Sequence, residues 1–156
     1  MPEPINAVYI HIPFCLKKCH YCDFLSFAQP EQMEQYVSAL LAEMALTTQR
    51  YAVQAKTIFI GGGTPSCLPE HLLEQVLQAV QQYFVTPALQ EYTLEANPGT
   101  LSAEKLQLLK QYGVNRLSLG VQSDNAEQLQ LLGRIHSFAQ AKEAVRLARQ
   151  AGFANV

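Results

Sequence analysis

Short β-rich runs alternate with longer amphipathic helical runs along this chain, and that alternation restricts its fold more than any other feature. Parallel strands cannot be joined by two-residue hairpins, so a β-α-β-α order predicts a parallel sheet whose crossovers are helices. The predicted strands are Ala7 to Ile12, Thr57 to Ile60, Tyr92 to Ala96 and Arg116 to Val121. Between them, Met33, Tyr36, Val37, Leu40, Leu41 and Met44 recur at three- and four-residue spacing and make one apolar helix face. Leu72, Leu73, Val76, Leu77, Val80 and Phe84 make a second. A third helix is predicted from its N-cap Ser102 to a stop at Gly113, and a fourth from Ser137 to Gly152.

A weak internal repeat aligns Gln111-Tyr112-Gly113-Val114-Asn115-Arg116-Leu117 with Gln150-Ala151-Gly152-Phe153-Ala154-Asn155-Val156. Val156 therefore takes the place of Leu117, at a strand start. On this reading the chain stops as a fifth strand begins, and residues 1–156 are the N-terminal part of a larger α/β domain. The unpaired edge of the fourth strand is then expected to make the 156 residues aggregation-prone by themselves.

With 156 residues, 49% of them hydrophobic, the chain can bury one sizeable core. A net charge of −2 and the lack of a basic stripe argue against a nucleic-acid partner. Met1-Pro2-Glu3-Pro4 has neither the basic start nor the apolar core of a signal peptide, and no run of roughly 18 apolar residues predicts a transmembrane helix. The expected location is the cytoplasm, where thiols stay reduced and clustered cysteines are metal ligands rather than disulfide partners.

Three of the four cysteines do cluster: Cys15-Leu16-Lys17-Lys18-Cys19-His20-Tyr21-Cys22 is a CxxxCxxC run directly after the first strand, which Pro13 ends. Three thiolates on a cubane of four irons leave one iron open to chelate the amino and carboxylate groups of a substrate. Structural zinc is the competing reading. It needs a fourth ligand, with His20, Asp23, Cys67 or His11 as candidates, and CxxxC followed by CxxC is not a usual zinc-knuckle pairing. Cys67 itself reads as a small buried residue. His11, His20, His71 and His136 each read singly as structural or solvated residues, and Lys17 and Lys18 as a solvated loop face.

Ligands of parallel sheets bind beyond the carboxyl ends of the strands, and each predicted strand here ends in a distinctive sequence. After the cysteine loop come Gly61-Gly62-Gly63-Thr64-Pro65, then Glu95-Ala96-Asn97-Pro98, then Gly120-Val121-Gln122-Ser123. The glycine run lacks the lysine of a phosphate loop and the GxGxxG spacing of a dinucleotide site, and alone it reads as a tight turn. Its use would be to let backbone approach a ligand closely. A branched side chain at Gly63 is therefore expected to weaken that ligand's binding while sparing the cluster.

Taken together, Tyr9-Ile10-His11-Ile12-Pro13-Phe14-Cys15, the CxxxCxxC run, the GGGTP run, Glu95 and Gly-Val-Gln resemble the radical SAM family of oxygen-independent coproporphyrinogen III oxidase and its haem-chaperone relatives. The resemblance runs from about Tyr9 to the end. It implies a partial (β/α) barrel of the radical SAM type, truncated after four βα units, a [4Fe-4S] cluster on Cys15, Cys19 and Cys22, and S-adenosylmethionine. It also implies that Tyr9 and Tyr21 lie near S-adenosylmethionine, that Gly62, Gly63, Thr64 and Glu95 contact it, and that Gln122 and Arg134 match contacts to a second molecule of it. Read without the family, Arg134 is a surface ion-pair residue.

Two departures favour the haem-chaperone branch. The oxidase carries a further cysteine two positions after the third ligand, where this chain has Phe24, and it has a substantial extension before its tyrosine, whereas Tyr9 lies near the start here. The implied function is binding haem and delivering it to haem-accepting proteins, with an electron donor to the cluster. The alternatives are conversion of coproporphyrinogen III to protoporphyrinogen IX and a zinc-stabilised interaction module.

Overall fold

The computed structural model describes residues 3–156; Met1 and Pro2, which open the segment read above as carrying no leader, lie outside the described residues. Four strands, β1 (Ile5–Ile12), β2 (Val53–Gly62), β3 (Glu91–Ala96) and β4 (Arg116–Leu119), form one sheet in the order β1-β2-β3-β4, every pair parallel. The crossovers carry α1 (Met33–Arg50), α2 (Glu70–Tyr83) and α3 (Ala103–Gln111), and after β4 come the short α4 (Ala126–Leu131) and α5 (Phe138–Gln150). Strands that neighbour each other in chain order, joined by crossovers of one hand, put all their helices on one face. This is an open, partial (β/α) barrel.

Alternation along the strands separates the two faces. Ile10, Ile12, Ile58, Ile60, Tyr92, Leu94 and Leu117 are buried against Val37 and Met44 of α1, the apolar stripe of α2, and Leu106 and Leu109 of α3. Burying side chains of this size stabilises by roughly 1.5–3 kcal/mol each, so this helix-covered face is the core. The intervening positions carry Tyr9, His11, Phe59, Gly61, Thr93, Glu95, Arg116 and Ser118, which the register brings level across the four strands. That second face is the more polar and the more exposed of the two, although Thr93 within it is buried. Tyr9 is 57% exposed, and Arg116 reaches Glu91 at 3.6 Å and Thr93 at 3.3 Å.

Local signals set the helix ends. Ser102 accepts from the Lys105 N–H, Asn125 from Gln128, and Ser137 forms a reciprocal capping box with Gln140. α4, which apolar periodicity did not predict, begins at the Asn125 cap. β4 is shorter than predicted: it ends at Leu119, and Gln122, expected just beyond the strand, takes φ 70° in an irregular turn. At the chain's far end Asn155 makes an isolated parallel bridge with Arg116, with the Leu117 N–H donating to the Asn155 carbonyl at 3.0 Å.

Candidate metal and cofactor site

Paired residues Ile12 and Gly62 of β1 and β2, and Ala96 and Leu119 of β3 and β4, put all four strand ends at one edge. The four loops beyond them enclose a cleft of about 270 Å³. Cys15, Cys19 and Cys22 rim it with Tyr21, Gly62, Gly63, Thr64, Glu95, Gln122 and Arg134, so ten of the eleven residues nominated from the sequence meet there. Tyr9 does not line it. It lies one strand position before His11 on the open sheet face, stacked on Phe59, and partial desolvation and then the charge of Glu95 raise its pKa.

The cysteine loop is held by backbone on three sides. Phe27 donates to the Pro13 carbonyl at 2.7 Å and accepts from the Cys15 N–H at 3.0 Å. From β2, the Gly63 N–H donates to the Ile12 carbonyl at 2.8 Å and the Thr64 N–H to the Phe14 carbonyl at 2.7 Å. From the end of α4, the Leu132 carbonyl accepts the His20 N–H at 3.1 Å while the His20 ring bonds the Leu131 carbonyl at 2.9 Å. Gly133, at φ +73°, follows this turn, and a Cβ there would stand 2.9 Å from the His20 ring.

The glycine run is a packing requirement. A Cβ on Gly63 would lie 2.5 Å from the Phe14 carbonyl oxygen, so the expectation that a side chain there would spare the cluster is corrected: it would push on the residue that precedes Cys15. Gly62 has φ +110°, and a Cβ on it would strike the His11 ring at 2.5 Å. The Gly62 N–H donates to Glu95 at 3.1 Å, so Glu95 is anchored to the run rather than free in solvent.

Arg134 is not a surface ion-pair residue. Half-buried, it donates from Nη1 to the Cys19 sulfur at 3.3 Å and from Nη2 to Asn97 Oδ1 at 2.6 Å and to the Gly120 carbonyl, while its Nε is buried without a partner. Asn97 was not nominated from the sequence, although it stands in the Glu95-Ala96-Asn97-Pro98 strand end. The following proline holds Asn97 to extended backbone, and an amide there can both accept and donate across the strand ends. Its Nδ2 donates to Thr64 Oγ1 at 2.9 Å, and Thr64 lies 3.5 Å from the Cys15 sulfur. Burial raises the pKa of Tyr21 and the nearby Arg134 opposes the shift.

All four cysteines are free. Among the described residues, no three His, Cys, Asp or Glu side chains converge on a point that one ion could occupy; the three loop thiols are spread round the cleft instead. Three of the proposed fourth zinc ligands are also engaged. His11 accepts from the Tyr9 hydroxyl and bonds the Leu25 carbonyl, His20 bonds Leu131, and Cys67 donates to the Phe14 carbonyl with its thiol pushed up to about 12 by burial.

A one-faced parallel partial barrel with a three-cysteine loop and a glycine run at its carboxyl edge defines a class of cluster-bearing barrel proteins. Residues 9–156 match the Radical SAM superfamily, and the chain belongs to it. Membership implies a [4Fe-4S] cluster and S-adenosylmethionine. The chain is 43% identical over 155 residues to the heme chaperone HemW of Bacillus subtilis, covering 97% of this chain and 41% of that protein. It is 44% identical to the heme chaperone HemW of Escherichia coli, covering 96% and 40%. Coproporphyrinogen III oxidase (HemN) of Escherichia coli, described as a radical SAM enzyme, superposes with a TM-score of 0.88 at 30% identity, covering 99% of this chain and 36% of that one. The chain thus spans about two fifths of the curated relatives it matches. Among the described residues no helix is long and apolar enough to cross a membrane.

Proposed function

We propose that residues 1–156 are the cluster- and S-adenosylmethionine-binding part of a haem chaperone located in the cytoplasm. The observation that carries the cofactor reading is the meeting of three half-buried free thiols with the glycine run, Glu95 and Arg134 in one cleft. Cys15, Cys19 and Cys22 would hold three irons of the cluster, which supplies the electron that cleaves S-adenosylmethionine. Gly62 and Gly63 offer backbone to that molecule without side-chain obstruction, Thr64 and Tyr21 border it in the cleft, and Tyr9 would meet only a part of it that extends along the open sheet face. Glu95 provides a carboxylate for its hydroxyl or amino groups. The unpartnered Nε of Arg134 leaves a buried donor for an anionic group such as a carboxylate, and Gln122 lies on the same wall. Haem, an electron donor and haem-accepting proteins are the proposed partners.

Two observations favour the chaperone over the oxidase: identities of 43% and 44% to heme chaperones against 30% to the oxidase, and Phe24 two positions after Cys22. The test is anaerobic reconstitution of the full-length protein with iron and sulfide, followed by haem titration and incubation with coproporphyrinogen III. Expected are about four irons and four sulfides per chain, a saturable haem spectrum and no protoporphyrinogen IX. Tetrahedral metal without sulfide would establish the zinc module instead, and protoporphyrinogen formation the oxidase.

A further inference from the structure

We propose that Arg134 is the origin of a one-way hydrogen-bond relay that places a donor on two of the three cluster sulfurs, Cys15 and Cys19, and so sets the cluster's reduction potential. The proposal rests on the cluster assignment above. Its direction follows from donor chemistry. A guanidinium can only donate, so the Asn97 oxygen must face Arg134 Nη2, at 2.6 Å. That orientation turns the Asn97 amide nitrogen to Thr64 Oγ1, at 2.9 Å, which therefore accepts. The Thr64 hydroxyl hydrogen is then left for the Cys15 sulfur at 3.5 Å, the one other side chain Thr64 reaches. Arg134 Nη1 meanwhile donates directly to the Cys19 sulfur at 3.3 Å.

Every link is protected. Thr64 is 3% exposed, Arg134 and Asn97 are half-buried, and the Gly120 carbonyl holds the guanidinium in place. In such surroundings linked hydrogen bonds polarise one another, and the charged first donor strengthens those beyond it. Among the described residues no side chain donates to the Cys22 sulfur. The three ligands are therefore unequal: two carry hydrogen bonds that originate at one cation, and the third carries none. Donors on ligand sulfurs stabilise the added negative charge of a reduced cluster and raise its potential. Arg134 acts through sulfur, as a positioning and tuning residue.

The test is an EPR-monitored redox titration of the reconstituted full-length protein without S-adenosylmethionine, for wild type, Arg134→Gln, Arg134→Lys, Thr64→Val and Thr64→Ser, each normalised to iron and sulfide content. In fully loaded protein, Arg134→Gln is expected to lower the reduced-to-oxidised ratio at fixed potential about tenfold, which is 59 mV for one electron. Thr64→Val, which removes one neutral donor, is expected to lower it roughly threefold. Thr64→Ser restores the hydroxyl and leaves the ratio unchanged, and Arg134→Lys, which keeps the charge but not the fork, falls between wild type and Arg134→Gln. If Arg134→Gln fails to load iron, the comparison of Thr64→Val with Thr64→Ser decides alone. Wild-type potentials in loaded Arg134→Gln or Thr64→Val, or an equal shift in Thr64→Ser, would overturn the relay. Failure of the wild type itself to take up iron and sulfide would instead sink the cluster assignment.

Discussion

Gly63→Ala is expected to destabilise the protein by about 2–6 kcal/mol and to lower its iron loading in the same variant. The added Cβ would stand 2.5 Å from the Phe14 carbonyl oxygen and 2.9 Å from its carbon and nitrogen, where real Cβ atoms essentially never come within 3.0 Å. Backbone is on the other side of the contact, so no rotamer change relieves it. Either Phe14 or the glycine run must move by several tenths of an ångström. Overpacking of this kind costs about 1–3 kcal/mol. The displacement also strains the bonds from Gly63 N to the Ile12 carbonyl and from Thr64 N to the Phe14 carbonyl, each worth about 0.5–1.5 kcal/mol. Gly113→Ala is the internal control: its φ is +84° but nothing lies within 4 Å of the added atom, so it costs only the left-handed backbone penalty of about 1–2 kcal/mol. Urea unfolding of both variants, with iron analysis after reconstitution, measures the difference. If Gly63→Ala lies within about 0.5 kcal/mol of wild type, or costs no more than Gly113→Ala, the close approach of the two backbones is not what requires glycine at this position.

Cys15→Ala, Cys19→Ala and Cys22→Ala are each expected to lose the cluster on iron and sulfide analysis, while Cys67→Ala keeps it; equal iron loss in Cys67→Ala would break the ligand assignment. Burial holds the Cys67 thiol near 12 against an ordinary 9.0, so between those values the unfolded chain releases a proton the folded one keeps and stability falls as pH rises. Alkaline denaturation curves of Cys67→Ala should be flatter than wild type over that window, and superimposable curves would refute the coupling. His136 has the opposite sign: burial lowers its pKa, so stability is expected to fall as pH drops through 6.5, and His136→Gln should remove that dependence in thermal melts between pH 5 and 8. Gly133→Ala is expected to loosen the turn that seats His20 and reduce cluster retention several-fold in an oxygen-exposure time course, because its added Cβ meets the ring at 2.9 Å and takes an unfavourable φ of +73°.

Features whose physics is local were legible in the sequence. The alternation of apolar stripes and β-rich runs determined the parallel α/β order, since a strand and a helix each bury a face with its own period. Cysteine spacing placed three thiols in one loop after β1, and short-range hydrogen bonding made Ser102 and Ser137 readable as helix caps. The rule that ligands sit at the carboxyl edge brought the other three loops to the same place. α4 escaped because only Leu129 of its six residues is buried, too little for a periodic apolar signal.

Tertiary structure alone decided how those loops engage one another. Tyr9 shares the open sheet face with Glu95, which lines the cleft; its separation from the cleft comes from its place along β1, three residues before the strand end at Ile12. The role of Asn97 exists only because β2, β3 and the turn after α4 end side by side, bringing Thr64 and Arg134 within hydrogen-bond reach of it. Gly63 could be read in sequence as a ligand platform, but that it is pressed against Phe14 is a contact between residues 49 positions apart. Arg134 is the clearest case: an arginine's charge suggests a surface residue, and 115 positions of chain separate it from the Cys19 sulfur it donates to. Spacing along a chain specifies which groups can share a helix face or a loop. Which donor meets which acceptor across four strand ends is settled by register and packing, because those fix distances to tenths of an ångström and a hydrogen bond tolerates little more.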